Sequence, residues 1–123
     1  MNPKVIRFAP QGPDGAGLGD PRKLVTPGLV TAAPTERERV LYRDPSGRFT
    51  TGIWECEAYE ETYESYPQDE FMHILEGSVT VVDEDGNAET FRAGESFFIA
   101  RGFKGAWRQE ERMKKYFAIL LAD

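Results

Sequence analysis

The chain has one cysteine, Cys56, and one histidine, His73, in 123 residues. A lone thiol excludes an internal disulfide and fits a reducing, cytoplasmic setting. A lone imidazole leaves a transition-metal centre short of its commonest ligand. No apolar run approaches the ~20 residues of a membrane helix, and the opening "MNPKVIRFAP" has no leader-peptide core. Basic residues are also scarce: 15 Lys and Arg against 21 Asp and Glu, a net charge of −6. That balance argues against nucleic acid, which rewards a basic face. What is present is a folding composition, 40% hydrophobic and 12% aromatic, enough for one domain with a real core.

The charges are segregated. Phe49 to Phe91 holds twelve acidic residues and no Lys or Arg, whereas Arg92 to Lys115 holds seven basic residues and three acidic ones. Acidic and basic strands lying side by side are the expected cause of this pattern, with an acidic surface for a metal or a cationic ligand as the alternative. Residues 1–35 read as an extended arm: "APQGPDGAGLGDP" packs Gly, Pro and Asp too densely for a helix or central strand, and "KVIRF" before it is expected to add one strand. Residues 36–123 read as one β domain. "RERVLYRDPSGRFTTGIWECEAY" gives two strands around an Asp-Pro-Ser-Gly turn, with Trp54, Cys56 and Ala58 on the buried face by period two. "FMHILEG", the hairpin "SVTVVDEDGNAETF", two short strands in "AGESFFIARGFKGAWRQ" and the final "RMKKYFAILLA" follow. Many short strands without a convincing helix mean an antiparallel barrel or sandwich.

Glu70 and Gly77 have the spacing with which the first cupin motif closes, and "GESFFIARGFKGAWRQ" follows the frame of the second. With the "DEDGN" hairpin between them, the chain resembles the cupins, the RmlC-like jelly-roll β-barrels. The phrases "TGIWECE", "DEFMHILEGSVTV", "FRAGESFFIARGFKGAW" and "KKYFAI" are similar to the cupin domain of (S)-ureidoglycine aminohydrolase. The resemblance implies an antiparallel jelly roll, homodimer formation, and a lumen site for a small polar metabolite such as a ureide or carboxylate. In metal-binding cupins three histidines and a glutamate face the lumen. Here the histidine pair falls on Tyr63 and Ser65, or on Glu64 and Tyr66, and the third histidine falls on Gly105. Only Glu70 survives, so neither a metal nor another cofactor is expected. A remodelled centre of Glu70, Cys56, Tyr63 and Gln109, serving an aminohydrolase-like reaction, is the alternative. A non-catalytic dimeric module is a third reading.

The last strand suggests what replaces the metal. Met113, Lys115, Phe117, Ile119 and Leu121 form its more apolar face, which puts Lys115 inside. A buried ammonium needs a carboxylate or must lose its proton, and in the frame that the cupin resemblance implies Glu70 is the expected partner. The expected site therefore has Glu70 and Lys115 as its catalytic pair. Trp54 and Trp107 form its walls, Tyr63 or Tyr66 supplies a phenol, and Cys56, Met72 and Gln109 complete the lining. His73 is three residues from Glu70, on the opposite face of the strand, and reads as a surface or interface imidazole. Met72 and Ile74 on one face of "FMHIL", with Phe71 and Leu75 on the other, leave an outer apolar face for the arm or a second copy to cover.

Overall fold

A computed structural model describes residues 5–122. The alternating segments form ten strands: β1 (Arg22–Lys23), β2 (Thr35–Arg43), β3 (Phe49–Cys56), β4 (Tyr59–Tyr63), β5 (Gln68–Glu76), β6 (Ser78–Asp83), β7 (Ala88–Arg92), β8 (Ser96–Ile99), β9 (Gly105–Gln109) and β10 (Met113–Leu121). Among the described residues the only helical piece is a 3-10 turn at Pro13–Gly15, and no helix is long and apolar enough to cross a membrane. All strand pairs are antiparallel. They build one sheet in the order β1-β2-β3-β10-β5-β8 and a second in the order β4-β9-β6-β7. Hydrogen bonding leaves both sheets open, so the jelly roll is two sheets packed around a common core rather than a continuous barrel.

The core lies between the inner faces. Trp54, Cys56, Tyr59, Met72, Ile74, Trp107, Met113 and Phe117 are among its buried residues, as period-two alternation requires. Segregated charge resolves into cross-strand pairing. Arg108 of β9 faces Glu60 of β4, and Lys114 of β10 lies between Glu55 of β3 and Glu76 of β5. Ala58 departs from expectation: β3 ends at Cys56 and Ala58 is exposed at the bend into β4.

Residues 5–34 pack against the sheets. Of the expected "KVIRF" strand, Lys4 lies outside the described residues and Val5 to Phe8 form no strand. The arm instead lies across the outer face of the six-stranded sheet. Its carbonyls at Pro10, Gly17 and Gly19 accept hydrogen bonds from Lys114, Arg39 and Arg37, and Phe8 packs edge-on against Tyr116. Ile53, an outward residue of β3, is fully buried there. The arm then pairs β1 with β2 and crosses to the other sheet, where Leu29 bridges Glu61 of β4. Gly28 permits that crossing, since a Cβ there would lie 1.9 Å from the Thr62 carbonyl oxygen. One seam between the sheets is thus stitched by the arm.

Candidate functional site

Three neighbouring strands assemble the polar centre. On β10, Lys115 stands between Trp54 of β3 and Ile74 of β5 in register. The residue is 6% exposed, and its side chain reaches Glu70 Oε2 at 2.8 Å, passing Met72 Sδ at 3.0 Å. The ammonium lies 4.7 Å from the Trp54 ring centre and 4.9 Å from that of Trp107, so two indole faces add to the carboxylate's attraction. Glu70 is 3% exposed. Its other oxygen accepts from the Tyr66 hydroxyl at 2.5 Å and from Gln68 Nε2 at 3.2 Å. This is a satisfied buried ion pair, the condition under which such a pair is tolerated. Lys114 is buried too, but on the outer face beneath Pro10, so burial alone does not mark Lys115.

Beside this centre is a cavity of about 220 Å³, smaller than the pockets of drug-sized ligands. Of the residues named from the sequence, Trp54, Tyr63, Tyr66, Glu70, Trp107 and Lys115 line it. Cys56, Met72 and Gln109 do not. Gln109 is tied up in holding the β3–β4 bend: its amide donates to the carbonyls of Cys56, Glu57 and Glu111, and its carbonyl accepts from Trp107 Nε1. Cys56 is 1% exposed and burial pushes its thiol up to about 12, which makes it a packing residue, not a nucleophile. Met72 is packed in the core, with its Sδ 3.0 Å from the Lys115 ammonium. His73 points outward, its Nδ1 2.8 Å from Ser96 Oγ.

Strand β4 contributes two lining residues that sequence reasoning overlooked, Tyr59 and Glu61. Its alternate residues Tyr59, Glu61 and Tyr63 face inward and line the cavity, whereas Glu64 and Ser65 are exposed in the turn beyond. Burial, and next the neighbouring carboxylates, push the Tyr63 and Tyr66 phenols well above their ordinary range; Glu61 acts on Tyr63 and Glu70 on Tyr66. Glu36, 6% exposed, accepts from Trp54 Nε1 at 2.7 Å and pairs with Arg22 at 3.0 Å, fixing that indole. Leu24 and Thr26 of the arm and Glu38 of β2 complete the opposite wall.

These residues do not fit the metal of metal-binding cupins. Among the described residues no group of three His, Cys, Asp or Glu side chains converges as ligands. Both Glu70 oxygens accept hydrogen bonds, one from an ammonium. The Gly105 position is closed as well: a Cβ there would lie 2.1 Å from the Val82 carbonyl oxygen and 2.6 Å from the Phe103 ring.

Two antiparallel sheets packed around a common core, with a polar, aromatic-walled cavity at its edge, define an antiparallel jelly roll. The chain matches the EutQ-like cupin domain over residues 43–117, and it belongs to that family. No curated protein matches it. Among solved structures, a protein of unknown function of the DUF861 family from Pseudomonas syringae pv. tomato is 24% identical with a TM-score of 0.74; the match covers 83% of this chain but 45% of that one. The Clostridium difficile EutQ protein is 19% identical with a TM-score of 0.61, covering 73% of this chain and 71% of that one. A DUF861 family protein from Thermotoga maritima is 31% identical over 55% of this chain and 75% of its own, with a TM-score of 0.50.

Proposed function

We propose that this EutQ-like cupin binds a small polar metabolite in the cavity beside Glu70 and Lys115, without a metal. The observation that carries the reading is the donor count at Lys115. An ammonium has three protons. Glu70 accepts one and Met72 Sδ lies on a second, which leaves one for an oxygen of a ligand in the cavity. The ligand then presents a carbonyl or carboxylate to Lys115, flanked by Trp54 and Trp107. Glu70 holds the ammonium in place, and Glu70 and Lys115 are the pair we assign to acid–base chemistry on such a ligand. The similarity of "DEFMHILEGSVTV" and "FRAGESFFIARGFKGAW" to the cupin domain of (S)-ureidoglycine aminohydrolase supports ureides and related carboxylates as the ligand class.

The test is a thermal-shift screen with small ureides and carboxylates on the full chain and on Lys115→Met. A binder should raise the melting temperature of the full chain and lose that effect in the variant. A screen without any binder, or a binder that Lys115→Met retains unchanged, overturns the reading.

A further inference from the structure

The charges around the cavity do not balance. Its lining carries three carboxylates, Glu38, Glu61 and Glu70, and one cation, Lys115. Glu70 has Lys115 at 2.8 Å, and Glu38 has Arg22 at 3.5 Å. Glu61 has no cation among the described residues. It is 6% exposed, and its one side-chain hydrogen bond is from the Tyr63 hydroxyl at 3.0 Å. A carboxylate buried to that degree without a counter-ion is among the costliest features a fold can keep. A second polar group of the lining is also unmatched: Thr26 Oγ1 is buried without any hydrogen-bond partner. The two come from different elements, Glu61 from the middle of β4 and Thr26 from the arm. Glu61 is an acceptor and the Thr26 hydroxyl can accept as well as donate, and the phenol rings of Tyr59 and Tyr63 line the cavity with them.

From this we infer that the metabolite carries a cationic nitrogen, a primary ammonium or a guanidinium, and that Glu61 is the residue that recognises it, with Thr26 as a further acceptor. The inference rests on the cavity being a ligand site and adds the charge of the ligand. Such a nitrogen supplies the missing counter-ion, offers several N–H donors at once, and presents its charge to aromatic rings. Together with the oxygen acceptor facing Lys115, it makes the ligand bifunctional: a cationic nitrogen at the Glu61 end and a carbonyl or carboxylate at the Lys115 end. Neither Glu36 nor Glu38 can take this role, because Arg22 answers both.

Isosteric probes isolate the charge. Glycinamide and β-alaninamide differ from propionamide and butyramide by an ammonium in place of a methyl group, with the same amide carbonyl; succinamate carries an anion instead. The chain has two tryptophans, so the indole N–H signals of Trp54 and Trp107 report binding by heteronuclear NMR at about pH 6.5, where an amine of ordinary pKa near 8 is charged. The cations should bind at least about tenfold more tightly than their neutral isosteres, the effect of one charge-assisted hydrogen bond. Glu61→Gln keeps an acceptor for Tyr63 and should abolish that preference. Thr26→Val should weaken glycinamide by about fivefold. Glu64→Gln, at an exposed position outside the cavity, should leave the preference as it is. Equal binding of propionamide and glycinamide, or preference for succinamate, overturns the inference while the cavity remains a ligand site. A preference that survives Glu61→Gln overturns the assignment to Glu61. If no probe moves either indole at millimolar concentration, the ligand-site reading falls as well.

Discussion

Lys115 and Glu70 are held by each other, and their response to substitution separates structure from binding. Glu70→Ala leaves an ammonium buried among Trp54, Met72 and Trp107; Lys115→Ala leaves a carboxylate with only Tyr66 and Gln68. Each single change should lower unfolding free energy by roughly 3–5 kcal/mol in urea titrations. The paired change Glu70→Leu with Lys115→Met should recover most of that loss, because apolar replacement of a whole buried pair is often neutral or stabilising. If the singles prove nearly neutral, the pair is not buried as described. Gly105 tests the closed metal position. Gly105→Ala should destabilise the chain by about 1–3 kcal/mol, since the added Cβ meets the Val82 carbonyl and the Phe103 ring. A stable Gly105→His protein that takes up a metal would contradict that geometry.

At the scale of the element, β4 and the turn after it set the alkaline limit of the fold. Burial raises the phenols of Tyr59, Tyr63 and Tyr66 above their ordinary value of 10.0. It raises the Cys56 thiol from 9.0 to about 12. The folded chain therefore holds these protons more tightly than the unfolded chain. Their stabilisation is complete below pH 9 and is lost as pH rises through 9 and 10 toward the folded values. Urea midpoints should fall steeply above pH 10, and the fall should be shallower in Tyr59→Phe. The acid limit belongs to the turns. Asp44, bonded by the Phe49 amide and Ser46, and Asp83, bonded by Asn87, are held below 3.8, so their contribution is present above that pH and lost below it. Strand β4 was the least legible element in the sequence. Three polar residues in "YEETY" match neither an apolar run nor an edge-strand pattern, and only pairing with β9, where Glu61 faces Trp107, turns one carboxylate inward.

For the molecule as a whole, the arm covers only part of the outer sheet. Phe71, Phe98, Leu120, Phe49 and Tyr42 remain between 36% and 57% exposed, with Phe71 opposite Phe98 and Leu120 opposite Phe49 in register. A single domain rarely leaves such a strip to water. We propose that a second copy covers it, burying the ~1,000 Å² or more expected of a stable interface. Light scattering at micromolar concentration should give twice the 13.9 kDa chain mass, and Phe98→Lys should shift it to the monomer. A monomer mass for the unaltered chain would sink the proposal.

Alternation by itself determined that the chain is all-β and that Trp54 and Lys115 point inward, and the cupin resemblance put Glu70 and Trp107 in the lumen with His73 on the opposite face, because strand geometry fixes the face of every second residue. The absence of a cupin histidine set is likewise a property of the sequence. Composition said nothing of where the Gly- and Pro-rich arm would lie, since it has no period of its own. Only the tertiary structure decided that the arm buries Ile53 and Lys114, crosses to β4 at Leu29, and supplies Leu24 and Thr26 to the cavity wall. Nor could local pattern say which carboxylates find cations. Glu70 and Lys115 are 45 residues apart, and Glu61 is left unpaired only because the packing of β4, β9 and the arm puts no base beside it.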